Sequence, residues 1–312
     1  MQKLAFVFPG QGSQSVGMMA AYGDDADIRA TFDEASAALG EDLWEMAAEG
    51  PAERLSLTTN TQPLMLTAGV AVYRSWIKRT GRQPDVVAGH SLGEYAALVA
   101  AGVLALKDAV PLVRLRAQAM QEAVPAGTGA MAAVLGLDAD VVKAACVDAA
   151  QGEVVAAVNF NSPEQTVIAG HVAAVQRAMA VLSERGAKRT VALPVSAPFH
   201  CSLMQPAADR LAAVLPGIAF ARPQIALVNN VDVATPDEAD AIRDALVRQA
   251  AAPVRWVEVI QRMAALGVTT VAECGPGKVL AGLTKRIDRN LNGVALADAA
   301  ALDQLAQQIG VN

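Results

Sequence analysis

The chain has 312 residues, of which 53% are hydrophobic and 18% charged, which excludes a disordered or low-complexity polymer. Twenty-five basic against 31 acidic residues leave a net charge of −6, a balance that repels phosphate backbones and speaks against nucleic acid as a partner. The three cysteines, Cys146, Cys201 and Cys274, are far apart and form no C-x-x-C pair, so neither a disulfide framework nor a zinc knuckle is expected.

The first apolar run, Leu4–Phe8, is too short for a secretory segment and meets Pro9-Gly10, which makes it a strand. A helix is predicted at Gln62–Arg79, a strand at Asp85–Ala88, and helices at Leu92–Ala101 and Lys107–Ala123. The longest uncharged apolar stretch, Tyr95 to Leu106, holds about a dozen residues against the roughly 20 a bilayer requires. A soluble, cytoplasmic protein is therefore expected. After the link Val124-Pro-Ala-Gly-Thr-Gly129 the rhythm changes. Ala130–Leu137 reads as a strand and Asp138–Ala150 as a helix capped by Asp138. Val154–Phe160 and Thr166–Ala169 read as strands about a turn at Asn161-Ser-Pro163. A helix at Val172–Arg185 stops at Gly186, and Lys188–Val195 is a final strand. This β-α-β-β-α-β order is the ferredoxin-like pattern. Beyond it come strands at Ile225–Val228 and Thr269–Ala272, and helices at Asp237–Gln249, Val254–Leu266 and Val279–Arg289. Such alternation implies a mainly parallel sheet with helices on both faces. The expected architecture is an α/β body, residues 1–124 and 197–312, interrupted by a small lobe at 125–196. The cleft between them is where a small-molecule site is expected.

Gly89-His90-Ser91-Leu92-Gly93 follows one predicted strand and precedes a helix, the setting in which G-x-S-x-G forms a nucleophile elbow. That turn sets Ser91 Oγ at a helix N-terminus, where free N–H groups favour negative charge, and makes the Leu92 N–H an oxyanion donor. The hydroxyl needs a base, and the chain has three histidines. His90, adjacent to Ser91 in a tight turn, is expected to pack beneath the elbow, and His171 to lie on the lobe surface. His200, where the lobe returns to the body, is the expected general base. No aspartate or glutamate stands out as its orienting partner, and a backbone carbonyl can serve instead. Pro9-Gly10-Gln11-Gly12-Ser13-Gln14 lacks the spacing and lysine of a phosphate loop. If its strand lies beside Asp85–Ala88, the Gln11 N–H completes an oxyanion hole. Arg114 and Arg116 are two residues apart on a helix, so at most one faces the cleft, and spacing does not choose between them. Gly275-Pro-Gly-Lys278 reads as a strand-to-helix turn.

Taken together, Phe8-Pro-Gly-Gln-Gly-Ser-Gln14, Gly89-His-Ser-Leu-Gly-Glu-Tyr95, Arg116 with Met120-Gln-Glu-Ala-Val124, Val158-Asn-Phe-Asn-Ser-Pro163, Pro198-Phe-His200, Val228-Asn-Asn-Val231, Arg248-Gln249 and Gly275-Pro-Gly-Lys278 carry a resemblance over nearly the whole chain. The sequence resembles the malonyl-CoA:acyl carrier protein transacylases of type II fatty acid synthesis. The resemblance implies an α/β-hydrolase-like body with a ferredoxin-like insert. It implies Ser91 as the acylated nucleophile, His200 as base, and the main-chain carbonyl of Gln249 as the group orienting His200. Gln11 and Leu92 would form the oxyanion hole, Arg116 would hold the malonyl carboxylate, and Phe199 would bear on acyl selectivity. Malonyl-CoA and acyl carrier protein are the implied partners of a monomer that needs no metal or other cofactor. Lys188-Arg189 and Lys285-Arg286 are the basic clusters expected to meet an acidic carrier. The same elbow also serves a serine hydrolase or thioesterase. A carrier-binding module that has lost catalysis is a third reading, and the presence of both Ser91 and His200 speaks against it.

Overall fold

The computed structural model describes residues 3–195 and 197–311. Its strands are β1 (Lys3–Phe8), β2 (Val86–Gly89), β3 (Gly129–Leu135), β4 (Val155–Ser162), β5 (Gln165–His171), β6 (Arg189–Ala192), β7 (Ala226–Leu227), β8 (Val268–Glu273) and β9 (Asn292–Ala295). They form two sheets, a five-stranded one in the order β7-β2-β1-β8-β9 and a four-stranded one in the order β4-β5-β3-β6. Every pairing in the first is parallel. Every pairing in the second is antiparallel.

β1 is the central strand of the larger sheet, and its sequence explains why. All but its first residue are buried, as both faces of a parallel sheet demand. The period of two divides its side chains between two cores. Phe6 and Phe8 enter one with Leu64, Trp76 and Leu98, while Ala5 and Val7 enter the other with Trp256, Val259 and Ile260. β2 lies directly beside β1, with Phe8 level with Gly89, so the loop after β1 and the elbow after β2 emerge side by side.

The lobe follows the expected order, β3, a helix Ala139–Ala150, β4, β5, a helix Val172–Glu184 and β6. One face of its sheet packs Ala132, Val134 and Ile168 under Val142, Cys146, Val175 and Leu182 of these helices. The other face turns Met131, Val158 and Val167 toward Cys201 and Phe199 beside the cleft. At β4 the lobe is tied to the body by main chain. The Phe160 N–H donates to Val254 O at 3.0 Å, and the Val254 N–H donates to Val158 O at 2.8 Å.

The structure corrects the sequence reading at several places. β4 runs on through Ser162, so the hairpin turn is Pro163-Glu164 rather than Asn161-Ser-Pro163. Val254 bridges to Asn159, and the predicted helix there is confined to Trp256–Ala265. The last lobe strand is only Arg189–Ala192. The helices Ala26–Leu39, Leu43–Glu49, Ala52–Leu55, Gln205–Val214 and Ala299–Gln308, and strand β9, were not anticipated. Ala26–Leu39 buries only Ile28, Thr31, Phe32 and Ala35 among alanines and charges, a faint apolar stripe. His171 is half-buried at the N-terminus of its helix, with Nδ1 accepting the Val154 N–H at 3.0 Å, rather than lying free on the surface.

Candidate active site

The elbow after β2 is closed by contacts only glycine allows. A Cβ on Gly89 would lie 1.9 Å from the Gly93 carbonyl carbon, and one on Gly93 would lie 2.1 Å from Phe8 O. Between them Ser91 takes φ 52°, a left-handed conformation costing a non-glycine residue about 1–3 kcal/mol. Asn230 holds the turn from below. Its Oδ1 accepts the Ser91 N–H and its Nδ2 donates to Gly89 O, each at 2.8 Å. The helix Gly93–Ala100 then starts directly behind the serine.

His200 also has a left-handed backbone, φ 65°, and reaches Ser91 from the far side of the cleft. Its Nε2 lies 2.6 Å from Ser91 Oγ, and its Nδ1 lies 3.0 Å from the Gln249 main-chain carbonyl. A carbonyl only accepts, so Nδ1 carries the proton and Nε2 is left to accept from the serine hydroxyl. Burial, and then the neighbouring Arg116 charge, push the His200 pKa down to about 3, so the imidazole is neutral at pH 7.

Arg116 is the arginine that faces inward, 1% exposed. It donates to Gln62 Oε1 at 2.8 Å, Gln249 Oε1 at 2.9 Å and Ser91 Oγ at 3.2 Å, and lies over the Tyr95 ring. Its Nε, also buried, has no partner among the described residues. Arg114 points the other way, with both terminal nitrogens on the Glu41 carboxylate. His90 packs against the Trp256 ring, and its Nε2 lies 2.8 Å from Asn161 Oδ1 of β4, a bond from elbow to lobe.

These groups share one cavity of about 110 Å³, against roughly 10–15 Å³ for one water. Gln11, Gln62, Ser91, Leu92, Arg116 and His200 supply its polar wall, and Met120, Met131, Leu193, Val195 and Phe199 its apolar one. The Gln11 side chain is held by Thr58 Oγ1 at 3.2 Å. Among the described residues, neither the Gln11 nor the Leu92 N–H donates to a main-chain acceptor. The site is thus a Ser–His pair with the serine also held by a buried cation.

An acyl transferase domain model matches residues 5–302. The malonyl CoA-acyl carrier protein transacylase of Escherichia coli (strain K12) is 56% identical over 303 residues, 97% of this chain and 98% of that protein. The chain belongs to the malonyl-CoA:acyl carrier protein transacylase family. As a member it is an acyltransferase. A crystal structure of the acyl-carrier-protein S-malonyltransferase of Burkholderia pseudomallei 1710b superposes with a TM-score of 0.96 at 61% identity, covering 98% of this chain and 99% of that one. A type II PKS acyl-carrier protein in complex with its malonyl-transacylase offers a chain of TM-score 0.97 and 51% identity, over 98% of this chain and 99% of that one.

Of the site residues expected from the sequence, Gln11, Ser91, Leu92, Arg116, Phe199 and His200 line this cavity, and Gln249 stands behind His200 with its carbonyl on Nδ1. Sequence reasoning missed Gln62, Glu94, Asn161 and Asn230. Glu94 was the most visible of them, a carboxylate at the head of an otherwise apolar helix. Gln62 comes from an element remote in sequence and carried no local signal, while Asn161 and Asn230 stood in motifs that carried the resemblance without a role assigned to them.

Proposed function

We propose that the chain transfers a malonyl group from malonyl-CoA to the phosphopantetheine thiol of acyl carrier protein, in two half-reactions through a malonyl-Ser91 ester. In the first, His200 Nε2 takes the hydroxyl proton as Ser91 Oγ attacks the thioester carbonyl. The tetrahedral anion is stabilised by the Gln11 and Leu92 N–H groups, a single such donor being worth about 2.7–4 kcal/mol. Collapse breaks the C–S bond, and the proton on Nε2 passes to the departing CoA thiolate. In the second, His200 deprotonates the carrier thiol, which attacks the ester carbonyl, and the proton returns to Ser91 Oγ.

The observation that carries this reading is the guanidinium buried 3.2 Å from the nucleophile. A simple ester hydrolase has no use for it, whereas an acyl group ending in a carboxylate does. Phe199 closes the apolar wall and limits substituents on the acyl chain. The Gln249 carbonyl keeps the His200 tautomer. Exclusion of water from the ester makes the site a transferase rather than a thioesterase.

The architecture is read as an α/β-hydrolase-like body, 1–124 and 197–312, with a ferredoxin-like lobe at 125–196. The lobe's sheet order supports the second half of that description. For the carrier, Lys188, Lys285, Arg286 and Arg289 line one groove where lobe meets body, so residues of both sequence-nominated clusters converge. An acidic carrier fits this face. The proposal requires no metal or other cofactor and describes a cytoplasmic monomer. Among the described residues no helix is long and apolar enough to cross a membrane.

The test is intact mass spectrometry. Malonyl-CoA alone should add one malonyl group at Ser91, stable for minutes, and added carrier protein should remove it with appearance of malonyl-carrier. Loss of the adduct to water at the same rate without carrier would make the chain a hydrolase.

A further inference from the structure

Glu94 stands three residues after the nucleophile, is 1% exposed, and is not among the described residues that line the cavity. Its Oε2 accepts two hydrogen bonds of 3.0 Å, from the Asn230 main-chain N–H and from Gln249 Nε2. Each of these partners is committed elsewhere. Gln249 Nε2 also donates to Ser91 O at 2.9 Å, so both amide protons are spent on acceptors to one side. The amide oxygen is thereby turned the other way, onto the Arg116 guanidinium at 2.9 Å. The same residue's main-chain carbonyl receives the His200 Nδ1 proton. Asn230 meanwhile clamps the elbow through Ser91 N and Gly89 O. One carboxyl oxygen thus lies one residue removed from nucleophile, base and cation.

Without Glu94 the Gln249 nitrogen keeps only one of its two acceptors, the Ser91 carbonyl, and the barrier to an amide flip falls. Flipped, Gln249 would present N–H groups to a guanidinium that also only donates, and Arg116 would lose one of its three anchors. We propose that Glu94 is a positioning residue of this site, its carboxyl fixing the Gln249 amide so that Arg116 is held ready for an anionic acyl group. This rests on the reading that Ser91 is malonylated with Arg116 on the carboxylate. It adds that the choice of malonyl over an uncharged acyl group is set partly by a residue outside the cavity.

The test compares single-turnover acylation by malonyl-CoA and by acetyl-CoA in wild type, Glu94→Ala, Glu94→Gln and Glu94→Asp. Each rate is referred to folded protein by circular dichroism. Glu94→Ala is expected to lower malonylation about 10²-fold, the scale of a displacement near 1 Å, and acetylation by at least tenfold less. Glu94→Gln offers a carbonyl oxygen that can accept both bonds and should retain the malonyl-to-acetyl ratio. Glu94→Asp keeps the charge but falls a methylene short, so its ratio should drop. An unchanged ratio in Glu94→Ala, or a Glu94→Gln ratio as low as that of Glu94→Ala, overturns the proposal. If Glu94→Ala does not fold, Glu94→Asp decides: a wild-type ratio overturns the proposal, and a lowered one supports it. Wild type that fails to form malonyl-Ser91 at all would instead sink the reading beneath it.

Discussion

Arg116→Ala removes the buried cation in the wall of the cavity, and its cost can be worked from the contacts. In the free protein the guanidinium is held by Gln62 and Gln249, two charge-assisted bonds of a kind worth about 1.5–3 kcal/mol each. Those amide oxygens are left unpaired in the variant whatever substrate is offered. The substrate-specific part is the malonyl carboxylate, which then enters a closed cavity without its counter-charge. Breaking a buried ion pair costs about 3–5 kcal/mol, or roughly 10²–10⁴-fold in rate. Acetyl-CoA brings no carboxylate and escapes this penalty. The assay is rapid-quench acylation of Ser91 followed by intact mass, with both thioesters run on each protein. Malonylation should fall at least two decades further than acetylation. Equal losses would show that Arg116 supports the fold of the site and does not read the acyl group.

Ser91→Ala and Ser91→Gly should both abolish acylation, but the glycine variant should be the more stable by about 1 kcal/mol, because only glycine is unstrained at φ 52°. Chemical denaturation of the pair checks this, and equal midpoints would refute it. His200 gives a pH signature. Its pKa is about 3 folded and near 6.5 unfolded, so below pH 6.5 the unfolded chain takes up a proton that the native state refuses. The stability of wild type relative to His200→Asn should therefore fall as pH drops from 7 toward 4, and a pH-independent difference would contradict it. Glu94 has the opposite sign, since burial raises its pKa to about 7. Glu94→Gln should gain on wild type as pH rises from 5 to 8, again read from denaturation midpoints. Charge reversal at Lys285 and Arg286 should raise KM for the carrier, with less effect at high salt, and leave acylation by malonyl-CoA unchanged. A matching loss in both half-reactions would remove the basic groove from the docking face.

The site's chemistry was written in local signals. Gly89 and Gly93 flank the serine because backbone passes where a side chain would be, the start of the elbow's own helix against Gly89 and the end of β1 against Gly93, and that requirement shows as a spacing. His200 stood out by elimination and by its place at the end of the lobe. The choice of Arg116 over Arg114 came from family resemblance alone, since a helix two residues on offers opposite faces without saying which is inward. The contacts of Gln62, Asn161 and Asn230 are legible only in three dimensions, each supplying an amide to a partner more than fifty residues away. The fold divides the same way. β1 was obvious from its unbroken apolar run, while Ala26–Leu39 was hidden by alanine, which is at home on either face of a helix.

The main-chain bonds joining β4 to Val254 bear on how the thioester donor and the thiol acceptor of the proposed transfer would reach one serine. They join lobe to body on the same strand whose Asn161 reaches His90 beside the nucleophile, so the two walls of the chamber are linked by main chain as well as by side chains. In the proposed reaction both arms come to one serine held between those walls, so the first leaving group has to go before the incoming thiol can take its place.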